Sequence, residues 1–169
     1  MQIIKPPDQL DHLDSDSPIV FLAGSIEMGT AVEWQNKVET ELRDFKGTIL
    51  NPRRDDWDSS WTQSIDNDQF RNQVEWELRG LLDCASHVFF YFAPETKSPI
   101  SLMELGLIVG QNSELFFQEI IVVCPNDFWR KGNVDVLCNQ FGVDVYPDLE
   151  SGIAKLKQSL PNVKINLRQ

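Results

Sequence analysis

Histidine is scarce in this sequence. Two occur in 169 residues, His12 among aspartates and His87 just ahead of an apolar run. A His-ligated zinc site or a Ser-His-Asp triad would hang on His87 alone, so both are set aside. Cysteine is nearly as scarce. Cys84, Cys124 and Cys138 are an odd number, widely spaced, with no C-x-x-C pair. That usage reads as reduced core thiols and leads us to expect a cytoplasmic protein. Basic side chains are outnumbered, 15 Lys plus Arg against 26 Asp plus Glu, for a formal net charge of -11. A surface of that sign repels phosphate, which argues against a nucleic-acid polymer or an anionic membrane as partner. Apolar runs of about 18 residues, the length of a membrane span, are missing. The charged start Met1-Gln2-Ile3-Ile4-Lys5 does not read as a signal peptide. Neither G-x-G-x-x-G nor G-x-x-x-x-G-K-[ST] occurs, so no dinucleotide or P-loop site is expected, and no cofactor. Asp55, Asp56 and Asp58 lack a second carboxylate cluster to complete a magnesium site, and no metal is expected.

What is present suits one compact domain, with 41% hydrophobic residues. Residues 1–17 carry two prolines and four aspartates and read as an extended arm. The domain proper is expected over 18–169. Apolar runs at 18–23, 48–50, 87–92 and 119–124, with Val143 to Tyr146, predict five strands. Helical spacing predicts helices over 31–46 (Val32, Gln35, Val38, Leu42, Phe45) and 69–84 (Phe70, Val74, Leu78, Leu81, Leu82). Further helices are expected over about 99–112, 133–141 and 148–160. Five alternations of strand and helix argue an α/β, flavodoxin-like or Rossmann-like three-layer sandwich, with a five-stranded parallel sheet in order 2-1-3-4-5. Ligands of such sheets sit outside the carboxyl ends of the strands, near the switch in strand order.

The helix ISLMELGLIVG is apolar almost all round, yet Glu104 sits in its middle. A carboxylate buried there costs several kcal/mol unless it is paired or faces a polar pocket. That makes it a candidate for chemistry. The bland alternative is a capping box, Ser101-Leu102-Met103-Glu104. Ser98-Pro99 offers a better N-terminus, with proline at the first helical position, and leaves Glu104 too deep to cap. Gly24-Ser25-Ile26 ends the first predicted strand in a turn through which backbone N–H groups could approach a ligand. The loop Asn51-Pro52-Arg53-Arg54-Asp55-Asp56-Trp57-Asp58 mixes polar groups with aromatics, Trp57 and Trp61, that could fold over a planar ligand. A solvated loop of Arg–Asp pairs explains it equally well. Glu75 and Glu77 lie beside an apolar helical stripe and read by default as a solvated edge.

Together, FLAGSI on the first strand, NPRR and the later SLMELG resemble the nucleoside 2-deoxyribosyltransferase superfamily, in its 2-deoxyribosyltransferase-like branch, over roughly residues 18–125. The GSI turn is also similar to that of the deoxynucleoside 5′-monophosphate N-glycosidases. The resemblance implies that Glu104, in M-E-L-G, is a nucleophile. It places an acidic residue of the preceding helix at Glu77 and an aromatic near the sugar at Phe21. Substrate-binding positions expected on this basis are Phe21, Gly24, Ser25, Ile26, Asn51, Arg53, Asp55, Asp56, Trp57, Ser98 and Met103. Two departures stand out. Ser98 occupies the place of a family aspartate six residues before the nucleophile, so the leaving base needs another proton donor. Glu27 stands where the monophosphate glycosidases carry an arginine, which points to a nucleoside substrate.

The implied chemistry is cleavage or transfer at the N-glycosidic bond of a 2′-deoxynucleoside, with a free base as second partner. A carboxylate below C1′ captures the oxocarbenium-like sugar while a donor neutralises the departing base. Glu77 is expected to orient Glu104 or the sugar hydroxyls. The alternatives are hydrolysis of a nucleoside 5′-monophosphate or an NAD-like molecule, and a nucleoside-binding domain without turnover. Self-association is also expected, because Trp34, Trp57, Trp61, Trp76 and Trp129 all fall on loops or helix flanks.

Overall fold

The computed structural model describes residues 1–160 apart from 15, 27–30, 55–57, 59 and 112–117. Its elements are β1 (Gln2–Ile4), β2 (Ile19–Gly24), α1 (Trp34–Glu41), β3 (Thr48–Leu50), α2 (Asp68–Arg79), β4 (His87–Tyr91), α3 (Pro99–Gln111), β5 (Glu119–Val123), α4 (Lys131–Gln140), β6 (Val145–Tyr146) and α5 (Leu149–Ser159). A π-helical turn, Gly80–Cys84, extends α2. The sheet is parallel throughout, in order β1-β3-β2-β4-β5-β6.

Successive strand residues face opposite sides, and both sides are covered. Phe21, Ala23, Val88, Phe90 and Val122 pack with Trp76 of α2, Leu105 and Ile108 of α3, and Val134 and Cys138 of α4. Val20, Leu22, Phe89, Ile121 and Val123 pack with Trp34 and Val38 of α1, and Ile153 and Leu156 of α5. All six residues of β2 are therefore buried, as a central parallel strand requires. This is the flavodoxin-like sandwich, and the five strands from β3 to β6 keep the expected order, β3-β2-β4-β5-β6.

The sheet has six strands rather than five. The leader is not a free arm: Gln2, Ile3 and Ile4 pair with Thr48, Ile49 and Leu50. Ile4 and Leu10 join the core, the Trp76 indole N–H donates to the Asp8 carbonyl at 2.8 Å, and Arg79 pairs with Asp11 at 2.6 Å. The helix expected over 31–46 is confined to Trp34–Glu41. Arg53 explains its late start, because the guanidinium binds the carbonyls of Ala31 and Val32 at 2.9 and 3.1 Å. Trp34 and Trp76 are core residues, 3% and 8% exposed, so the tryptophan argument for self-association loses two of its five members. Among the described residues, no helix is long and apolar enough to cross a membrane.

Candidate active site

The strand order reverses between β2 and β4, and the crevice at their carboxyl ends is where α/β sheets bind ligands. Gly24 closes β2 with φ +138°, and a Cβ there would stand 2.2 Å from the Tyr91 carbonyl oxygen, so only glycine fits. The tight approach lets the Ser25 N–H donate to Tyr91 O at 2.9 Å while Ser25 Oγ accepts from the Ala93 N–H at 2.8 Å. The Trp34 indole donates to the Ser25 carbonyl at 2.9 Å.

Three buried hydroxyls meet at this end of the sheet. Ser25 Oγ lies 2.6 Å from both Thr96 Oγ1 and Ser98 Oγ, which are 2.8 Å from each other. Thr96 also donates to the Ala93 carbonyl at 2.8 Å. Among the described residues at least four contacts therefore share three hydroxyl protons. Ser98 is held at φ 45°, a left-handed conformation that non-glycine residues adopt at a cost of about 1 kcal/mol. The hydroxyl contacts fix it there, directly before Pro99 opens α3.

Ser101 lies in the first turn of α3 and donates to the Gly24 carbonyl at 2.8 Å, which docks that turn onto the end of β2. The capping box is thereby excluded, since the helix begins before Ser101 and its hydroxyl is spent on β2. One turn further, Glu104 is buried, 8% exposed, facing inward with Ser101 and Leu105. Burial pushes its carboxyl up to about 8, and the charge of Glu77 adds to the rise.

Glu77 comes from α2, which Asn67 caps by accepting from the Phe70 N–H at 3.2 Å. It is half-buried. Burial raises its pKa to about 7 against the lowering effect of the Gln73 amide, whose Nε2 donates to Glu77 Oε1 at 2.7 Å. Both carboxyls are therefore held above the ordinary carboxylate range, and Glu104 keeps its proton near neutrality. Gln73 also donates to the Pro52 carbonyl at 3.1 Å, which ties α2 to the loop after β3. Among the described residues, two buried amide atoms have no partner: Gln73 Oε1 and Gln35 Nε2. A buried polar atom left this way costs about 1–3 kcal/mol.

The other expected positions divide. Asn51 is buried, donating to Glu39 at 2.7 Å and accepting from the Arg53 N–H at 3.0 Å. Arg53 is turned toward the segment after β2 rather than into solvent. Arg54 stacks on Trp61 with 4.9 Å to the ring centroid. Phe21 is fully buried against Trp76 and the π-helical turn, beneath the crevice rather than open to it. Met103 points outward, 61% exposed, and does not join Glu104. Ile26 follows Ser25 and its carbonyl accepts from the Ala31 N–H at 3.2 Å. Asp55, Asp56 and Trp57, with Glu27, lie outside the described residues. A groove of 430 Å³ between α3 and α4, floored by Leu102, Leu105, Val134 and Leu137, includes neither carboxyl.

Sequence reasoning missed Thr96 and Gln73. Thr96 carries no local signal. Gln73 stands four residues before Glu77, a spacing that puts both on one helix face and was readable.

No curated protein matches this chain. The family model described as "Nucleoside 2-deoxyribosyltransferase like" matches residues 17–128, from the start of β2 through the loop after β5. That span contains the GSI turn, the α2 acid, the hydroxyl cluster and the α3 glutamate, and the chain belongs to the nucleoside 2-deoxyribosyltransferase-like family.

Proposed function

We propose that this protein breaks the N-glycosidic bond of 2′-deoxynucleosides, using Glu104 as nucleophile, and passes the sugar to a second base or to water. The supporting observation is the carboxyl pair itself, Glu104 buried on α3 with Glu77 close enough to raise its pKa. Two carboxyls of which one holds a proton match the demands of glycosidic cleavage. Glu104, the more basic of the two carboxyls, reacts once its proton has shifted to Glu77, and as the carboxylate it attacks C1′ and forms a glycosyl ester. The electrons of the N-glycosidic bond leave with the base, which takes the proton held by Glu77. In the return step a base or water attacks C1′, Glu104 departs, and Glu77 recovers a proton.

Glu77 thus supplies what Ser98 cannot. The Ser98 hydroxyl belongs to a cluster already short of protons. The same shortage favours a nucleoside over its 5′-monophosphate, since a phosphate at this turn would find hydroxyls with no spare proton to donate. The test is chromatography of deoxynucleosides incubated with and without a free acceptor base. Base release or exchange is expected from the wild type, and none from Glu104→Ala. Mass spectrometry should find a sugar adduct on the peptide containing Glu104 after quenching with a slow analogue. Full activity in Glu104→Ala would overturn the mechanism, and nucleoside binding without turnover would favour a binding domain.

A further inference from the structure

Gln73 is held more tightly than a solvated amide needs to be. It is 4% exposed, and both protons of its Nε2 have takers, the Pro52 carbonyl and Glu77 Oε1. Its Oε1 has none. Inverting the amide is no remedy, because Oε1 would then face the Pro52 carbonyl oxygen with no proton between them. The orientation is therefore fixed, and an acceptor is left over. The amide's oxygen and nitrogen are about 2.2 Å apart by covalent geometry. With Nε2 2.7 Å from Glu77, the unpartnered oxygen lies within about 5 Å of the Glu77 carboxyl.

We infer that Gln73 reads the leaving base: its side-chain carbonyl accepts a hydrogen bond from an exocyclic amino group, so the site favours amino-bearing bases over their oxo counterparts. The identity of the reacting bond rests on the function proposed above, but the recognition does not. In adenine and cytosine the amino group adjoins a ring nitrogen that can accept a proton. A carbonyl acceptor beside a carboxyl donor is complementary to that edge. Hypoxanthine and uracil present an oxo oxygen at the same place, which would meet the Gln73 oxygen lone pair to lone pair. Rejection by an unpaired buried polar group is a strong form of discrimination.

The test compares kcat/KM for base release from deoxyadenosine, deoxyinosine and purine 2′-deoxyriboside, and from deoxycytidine and deoxyuridine. Calorimetry of free adenine and hypoxanthine on the same protein needs no turnover. The amino-bearing member of at least one pair should be favoured by about tenfold or more, with purine 2′-deoxyriboside falling beside deoxyinosine if the purine pair is the one discriminated. Gln73→Leu should bring the ratio within about twofold while its melting transition stays cooperative. Ratios within twofold in the wild type for both pairs overturn the inference and leave the glycosidic reading standing. So does a Gln73→Leu variant that slows every substrate in equal proportion, since that marks a purely structural role. If no substrate releases its base, the glycosidic reading fails and calorimetry decides alone. Tighter binding of adenine than hypoxanthine, lost in Gln73→Leu, upholds the role; equal or absent binding overturns it. Should Gln73→Leu not fold, Gln73→Met, of similar length and without the acceptor oxygen, takes its place with the same two outcomes.

Discussion

Glu104→Gln removes a buried acid and keeps its shape, and its clearest consequence lies in how stability depends on pH between 7 and 8. Glu104 starts from 4.5 in an unfolded chain and stands near 8 when folded. Across that interval the folded chain holds a proton that the unfolded chain has lost, so stability falls as pH rises. One full proton of mismatch amounts to about 1.4 kcal/mol per pH unit. Other groups would blur the reading at lower or higher pH. Glu77 has the same sign but has mostly spent its effect by its own value near 7. His87 is pulled down to about 4 by burial, so it acts with the opposite sign between 4 and 6.5 and is silent above 7. Burial pushes Cys124 and Cys138 up to about 12 and about 11, and they act only above the ordinary thiol range. The window from 7 to 8 therefore isolates Glu104. From fractional protonation, its share of the wild-type loss across that window is about 1 kcal/mol, and Glu104→Gln should retain only the tail of Glu77, about 0.3 kcal/mol. Urea unfolding followed by tryptophan fluorescence at pH 7.0, 7.5 and 8.0 measures both. Parallel slopes in the two proteins would refute the buried-acid account.

Ser101→Ala should cost about 1 kcal/mol, the loss of one hydrogen bond to Gly24, with the helical circular dichroism unchanged; a fall in helix content would reinstate the capping box. A deoxynucleoside should show a higher kcat/KM than its 5′-monophosphate at physiological salt, and the reverse order would show that the hydroxyl cluster can be opened by a phosphate. Self-association is still expected, now from α3, whose outward Ile100 and Met103 are 57% and 61% exposed. Light scattering that gives 19.4 kDa at micromolar concentration would contradict it.

Much of this was readable from residue order. Apolar runs as short as Ile19 to Ala23, stopped by Gly24, read as strands covered on both faces, and alternation with helices then argues a parallel sheet. Glu104 was legible because an acid inside an otherwise apolar helix has few structural reasons to exist. What escaped was long-range. Gln2-Ile3-Ile4 is too short, and too close to Pro6-Pro7, to announce a strand; only the edge of β3 makes it one. The late start of α1 goes with Arg53, which captures two carbonyls just ahead of the helix from another loop. Ser25 and Ser98 were both singled out, yet nothing local tells that residues 73 positions apart share a proton network with Thr96.

The docked leader ties the sheet margin to the candidate active site. β1 shields β3, whose three residues are all buried and would otherwise present a bare row of backbone donors and acceptors to any neighbouring chain. The strand that replaces that margin is short and is followed by Lys5-Pro6-Pro7, residues that discourage further strand addition. The same segment then runs on to grip Trp76 and Arg79, on the helix that carries Gln73 and Glu77. Trimming a handful of amino-terminal residues would thus have two effects at once: a sticky sheet margin prone to aggregation, and a looser acid-bearing helix. A purification tag is better placed elsewhere than fused directly before Gln2.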